Sequence, residues 1–427
     1  MKKQMKKLLF LVMPIYLIGN AQNKGIQFEQ GLNWQQIKEK AKTENKCIFV
    51  DCYATWCGPC KYMDKYVYED ESVGSFINRR FISVKLQTDT SRQDNEEVKK
   101  WYSDAHTFQK EYVITAIPAY LFFSADGNII HRDIGVKEVS DFLITINHAL
   151  NPEKQYYTQL KAYKLGKKDY LLMPYLALMA KSFNDNELAN TIARDYFTNY
   201  LFTLKESELC SKKNIEFIYS FNQILTSEDK GFDIFFRYGS QIDDTMNFKG
   251  LSQMITDYII TKEEIDPVME NINKSKTYPS WSRVTKRIKR KYGVIYAERN
   301  VLNAKVSFYE KIKSWKEYLK YAIKKQEKSG IDTANVSNVI NTNYTAWMIF
   351  LHSSHKKQIN IAIKWMESLN MSTTNQAGWL DTYANLLYKA GRVEEALKWE
   401  EKALRMAPTD KDIEEAFAKM KKGKKTW

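Results

Sequence analysis

The sequence predicts two unlike parts, an α/β unit over roughly the first third of the chain and an all-α region after it. Three observations carry the prediction. A β-rich run ending in two closely spaced cysteines passes straight into helical spacing, and an Asp126-Gly127 turn joins two apolar runs. From Asn151 onward glycine is sparse, proline is rare, and Tyr, Leu, Ile, Lys and Glu recur at helical spacing.

The chain opens with Lys2, Lys3, Lys6 and Lys7, the apolar run Leu8 to Ile18, and the small-residue pattern Gly19-Asn20-Ala21. This reads as a secretory signal peptide over 1–21, cleaved after Ala21. No later segment reaches about 18 uninterrupted apolar residues, so no transmembrane segment is expected in the mature chain. The basic start and small-residue ending look bacterial and point to the periplasm or the outside. No cysteine follows the cleavage point, so lipid attachment is not indicated there.

The first folded unit is expected over 22–150. Asn33 can cap a helix that puts Trp34, Ile37 and Ala41 on one face. Cys47 to Tyr53 is rich in β-branched and aromatic residues and reads as a buried strand. Met63, Tyr66 and Val67 follow at helical spacing, placing Cys57 at or just before a helix start. Phe81 to Leu86 is a second strand, Asn95 to Tyr112 a helical segment, and Ala119 to Phe123 a third strand led by Ile117-Pro118. The Asp126-Gly127 turn leads into Asn128 to Arg132, and a helix carrying Val139, Phe142, Leu143 and Ile146 closes the unit near Leu150.

The string Trp56-Cys57-Gly58-Pro59-Cys60-Lys61 carries the chemistry. A Cys-x-x-Cys pair is also half of a common zinc site, but the chain has 5 Cys and 5 His in all, and no second Cys-x-x-Cys. His352 and His355 read as solvated surface residues. No metal and no cofactor is therefore expected, and redox chemistry leads. A thiolate on Cys57 gains from the unpaired N–H groups at a helix start and from the Lys61 cation. Export permits disulfides, yet a chain this long with so few cysteines is held by its core. Cys47, Cys52 and Cys210 read as small buried hydrophobes.

The full chain has 65 basic and 51 acidic residues, a formal charge of +14. Loss of the signal peptide removes four lysines and leaves it moderately basic. Lys286-Arg287-Ile288-Lys289-Arg290-Lys291 and Lys419 to Lys425 are the strongest clusters. No nucleic-acid motif accompanies them, and export argues against a nucleic-acid partner. They read as a solvated helix face and a frayed tail, with an acidic membrane surface or acidic partner as the alternative.

From about Gly25 to Leu150 the order of elements resembles the thioredoxin family. The resemblance rests on the Trp56 to Lys61 string, Asp51 six residues before Cys57, Lys85 on the next strand, Pro118 before the third and Gly135 after the hairpin. It implies that Cys57 is the nucleophile and Cys60 the resolving thiol, that Asp51 mediates proton transfer with help from Lys85, and that Pro118 is cis. Backbone at Ile117 is then open to an extended substrate segment. Trp56 either shapes access to the thiols or fills core. Gly58 and Pro59 between the thiols resemble reducing members of the family. Cys52, beside Asp51, departs from the pattern and is either a perturbation of the potential or a third thiol.

Beyond the expected joint at Asn151-Pro152, amphipathic helices are predicted at Tyr170 to Ala180, Glu187 to Tyr200, Tyr296 to Tyr309 and Trp315 to Lys328. Ala362, Lys364, Trp365 and Glu367 recur as Ala396, Lys398, Trp399 and Glu401, the 34-residue tetratricopeptide period. Ala384, Gly391, Ala396, Ala403 and Pro408 fit a helix pair, whereas the earlier copy has Phe350 in place of Ala384 and lacks the closing proline. The predicted fold class is thus an α/β thioredoxin-like domain followed by an all-α, tetratricopeptide-like helical domain over 151–427, with the repeats near 343–410. The predicted function is an exported thiol-disulfide oxidoreductase, in the reducing direction, acting on protein substrates with disulfides and recharged by a membrane thiol donor. A disulfide isomerase, or an interaction scaffold that uses the first unit for binding, are the alternatives.

Overall fold

The computed structural model describes residues 25–275, 278–372 and 374–427. The expected signal peptide lies outside the described residues. Two compact units divide the chain, one ending at Ile224 and one spanning Leu225–Trp427.

The first unit runs α1 (Trp34–Glu44), β1 (Cys47–Tyr53), α2 (Gly58–Tyr62) passing into a π turn at Met63–Val67, α3 (Glu71–Arg80), β2 (Phe81–Gln87), α4 (Glu96–Lys100), α5 (Tyr102–Glu111), β3 (Ala119–Phe123), β4 (Ile129–Ile134) and α6 (Val139–Leu150). The sheet order is β2-β1-β3-β4, with β1 parallel to β2 and antiparallel to β3, and β3 antiparallel to β4. Alternation along β1 sorts its side chains between two helical layers. Ile48, Val50 and Cys52 pack with Ile37 and Ala41 of α1 and with Ala105 and Phe108 of α5. Phe49 faces the other way, packing with Met63, Val67, Val73 and Ile77 and with Phe142 and Ile146 of α6.

Local chemistry accounts for the boundaries. Asn33 caps α1 through a reciprocal bond with Gln36. Gly127 takes φ +79° in the β3–β4 turn, a conformation that costs glycine little. The single helix expected from Asn95 to Tyr112 is two, because Trp101 breaks it and packs into the α1 side of the core.

Packing does not stop at the joint expected at Asn151-Pro152. There follow α7 (Tyr156–Lys164), α8 (Met173–Ser182), α9 (Asn186–Asn199), α10 (Glu206–Leu209) and α11 (Lys212–Ser220), all within the first unit. Buried His131 of β4 accepts the Tyr156 N–H at Nδ1, 3.0 Å away, and Arg132 lies over the Phe183 ring at 3.2 Å. The α8 helix starts at Met173, not Tyr170, with Pro174 in its first turn.

Burial holds the His131 imidazole neutral, lowering its pKa to about 4. A folded-state pKa below the ordinary value means that stability is full at neutral pH and is lost as pH falls from about 6.5 towards 4. His131→Phe should keep the packing, lose the acceptor for the Tyr156 N–H, and destabilise the protein by about 1–3 kcal/mol at pH 7 in urea titrations.

The second unit contains α12 (Lys230–Arg237), α13 (Gly239–Met246), α14 (Leu251–Ile260), α15 (Asp266–Ser275), α16 (Trp281–Tyr292), α17 (Val294–Lys311), α18 (Trp315–Ser329), α19 (Val336–His352), α20 (Lys356–Ser368), α21 (Ala377–Lys389), α22 (Val393–Met406) and α23 (Lys411–Lys421). A core from α18 through α23 includes Ala362, Ala384, Ala396 and Ala403, all fully buried, so the small side chains sit where these helices meet. Gly391, at φ +88°, makes the turn between α21 and α22. His352 stacks on Trp315 at 4.0 Å.

Candidate redox site

Strand β1 ends at Tyr53, and the loop after it is tied to the end of β2. Thr88 N–H donates to the Tyr53 carbonyl at 2.7 Å and Thr55 N–H to Asp89 Oδ1 at 3.0 Å. This fixes Cys57 as the N-cap of α2, where its Sγ accepts the Cys60 N–H at 3.1 Å. Cys57 and Cys60 are joined by a disulfide, and both are almost fully buried. They cluster with Ala54, Tyr53 and Ile117. The Ile117–Pro118 peptide bond is cis. Gly58 and Pro59 form the exposed first turn of α2, and Trp56 is 73% exposed, which corrects the core role considered for it.

A second group of residues lies on β1 and β2. Asp51 stands opposite Lys85 in the parallel register and opposite Tyr120 in the antiparallel one. Its carboxylate is 1% exposed, accepts the Tyr68 hydroxyl at 2.9 Å, and lies 3.6 Å from Lys85 Nζ. The same ammonium pairs with Asp64 from the π turn and lies 4.8 Å from the centroid of the Tyr53 ring. Tyr53 therefore touches both groups, packing with the thiols and receiving the lysine. Burial pushes the Asp51 pKa up to about 6, with Lys85 and the Tyr68 hydrogen bond pulling the other way. Such a carboxyl changes protonation close to neutral pH, as a proton relay requires.

Tyr68, Asp64 and Tyr53 are the members that sequence reasoning missed. The signal for Tyr68 was weak, a polar tip at the end of an apolar run. Asp64 is recognisable only once the π turn has set its direction. Cys52, in contrast, lies in the opposite layer from Asp51 and is a free, fully buried thiol. Cys210 is also free and buried, and Cys47 is free and half-buried.

Because Lys85 is shared, Asp64→Asn should release it to Asp51 and lower the Asp51 pKa by up to about one pH unit. An NMR titration of the Asp51 carboxyl carbon checks this, and an unchanged midpoint would show that Asp64 does not compete for the lysine.

Residues 34–150 match the model of the Thioredoxin-like domain. The thiol:disulfide interchange protein DsbD of Colwellia psychrerythraea is 30% identical over 128 residues, covering 29% of this chain and 19% of that one. The DsbD of Yersinia pestis is 29% identical over 131 residues, covering 29% and 20%. The chain thus spans about a fifth of the length of the curated relatives it matches. Among solved structures, one from Bacteroides thetaiotaomicron, provisionally a disulphide-isomerase, is 30% identical and covers 31% of this chain and 98% of its own, with a TM-score of 0.25. The oxidised C-terminal domain of Neisseria meningitidis DsbD is 18% identical, covers 28% and 99%, and has a TM-score of 0.23. Over residues 34–150 this chain belongs to the thioredoxin-like family, and a largely helical region follows that domain.

Proposed function

We propose that the chain is an exported thiol-disulfide oxidoreductase working in the reducing direction on protein disulfides. The observation that carries this reading is the placement of Cys57 as a helix N-cap bonded to Cys60, with a buried carboxyl of raised pKa on the strand that leads into it. In the reduced enzyme the Cys57 thiolate attacks one sulfur of a substrate disulfide and the other sulfur leaves as a thiolate. Cys60 gives its proton to the Asp51 carboxylate and attacks Cys57 Sγ, so the second substrate sulfur leaves. Two electrons have passed to the substrate, and the enzyme holds the Cys57–Cys60 disulfide. Lys85 and Tyr68 hold Asp51 in place for this transfer. The backbone at Ile117, before cis Pro118, is where an extended substrate strand pairs, and exposed Trp56 borders its approach.

Each cycle consumes a dithiol, so an exported reductase needs an outside source of electrons. A membrane thiol donor fills that role, and relatives named as thiol:disulfide interchange proteins support it. Among the described residues no helix is long and apolar enough to cross a membrane. The tetratricopeptide-like helix pairs in 343–410 recruit protein partners in this reading, with the small residues of α20 to α22 allowing close packing.

The test is reduction of insulin disulfides by the purified protein with dithiothreitol as electron source, together with the potential of the Cys57/Cys60 couple against glutathione. A value near about −270 mV supports the reducing direction, and one near about −120 mV overturns it. A protein inert towards insulin and other disulfides returns the reading to an interaction scaffold.

A further inference from the structure

The second unit carries a charged face that the redox chemistry does not use. Helix α16 contains no acidic residue. Its inner face buries Val284, Ile288 and Tyr292. Two of its cations are neutralised from a π turn at Thr261–Ile265, which follows α14, Arg287 by Glu264 and Lys291 by Glu263 at 3.4 Å. Arg283, Lys286, Lys289 and Arg290 are exposed. At 100° per residue they fall within about 120° of arc, forming one stripe about 10 Å long. Glu298 on the next helix pairs with Lys328, whose hydrogen bond and charge are the main causes of its lowered pKa, with Lys324 and Lys289 lesser contributors.

Exposed apolar side chains stand at both ends of this stripe. Tyr278, 72% exposed, precedes α16, and Val294 and Ile295, 47% and 69% exposed, follow it across Gly293. Cations alone would suit any anion. Cations with aliphatic and aromatic groups beside them suit a bilayer interface, where headgroups meet the charges and acyl chains accept the apolar tips.

We propose that α16 and the Val294-Ile295 tip dock on an anionic phospholipid surface. The docking is independent of the thiols, so a Cys57→Ser protein binds as well as the wild type.

The full mature chain is tested by co-sedimentation with vesicles of phosphatidylcholine alone and of phosphatidylcholine with about one quarter phosphatidylglycerol. Pelleting is expected with the anionic vesicles only, and is expected to weaken at high salt. K286Q/R290Q should weaken it roughly tenfold or more, because each cation near an anionic surface counts for about fivefold. Ile295→Ser should weaken it further. K164Q/K167Q, which removes the same charge from exposed positions in the first unit, should leave it unchanged, and circular dichroism checks that each variant is folded. Equal pelleting with both vesicle types, no pelleting with either, or equal loss in the two double variants overturns the proposal, and the stripe then belongs to an acidic protein or to solvent.

Discussion

Mixed disulfides should accumulate through Cys57 in a Cys60→Ser protein, while Cys57→Ser should form none and lose insulin reduction down to the background rate. The asymmetry follows from position, since the two sulfurs are nearly equally buried, at 2% and 3%. Cys57 is the residue that caps α2, and its sulfur already accepts the Cys60 N–H. Negative charge on that sulfur is favoured by an N–H pointing at it and by the helix start. Cys60 lies within the helix, and among the described residues no hydrogen bond reaches its sulfur. A serine at 57 has no sulfur to exchange. Non-reducing electrophoresis with a trapping extract, followed by dithiothreitol, reads both outcomes. Trapping through Cys60 in the Cys57→Ser protein would falsify the assignment of nucleophile and resolver.

Asp51→Asn should make the protein more stable at pH 8 and slower as a catalyst. The folded pKa is about 6 against an ordinary 3.8, so above pH 6 the folded chain holds a buried charge that the unfolded chain holds in water. The difference corresponds to about 3 kcal/mol, an upper figure, by which the carboxylate weakens the fold at high pH. Below about pH 4 both states are protonated and the penalty is absent. Stability from this group therefore falls as pH rises from 4 to 6, and asparagine removes that fall. His131 contributes the opposite slope over nearly the same interval, with a folded pKa of about 4. The Asp51 and His131 contributions should thus largely cancel in the wild type between pH 4 and 6.5. Relative to the wild type, Asp51→Asn should lose about 3 kcal/mol on acidification across that interval. Urea denaturation at several pH values checks both curves, and a variant less stable than wild type at pH 8 sinks the argument. Turnover should fall about tenfold or more, as expected on loss of a proton acceptor.

The site was legible where chemistry is local. The Cys57–Cys60 spacing, the helix start and the period-two alternation that separates Asp51 from Cys52 are all written within one strand and one turn. The Asp51–Lys85 pairing was open to inference because parallel strands put residues at matched depth on one sheet. Asp64 and Tyr68 were not, because the π turn at Met63–Val67 adds a residue to the helical repeat and changes which side chains face the sheet. In the fold, the break at Trp101 escaped notice because both sides of it keep helical spacing. The attachment of α7 to β4 escaped because it depends on a ring nitrogen 25 residues away in sequence.

That attachment makes the thioredoxin-like unit a poor cassette. The family match ends at residue 150, yet β4 at the sheet's edge ties His131 to the Tyr156 N–H and lays Arg132 over the Phe183 ring, both partners past that limit. A fragment cut at 150 would keep every thiol-site residue and strand a buried imidazole and guanidinium. Any exchange of the helical part for another has to rebuild these β4 contacts at the same time.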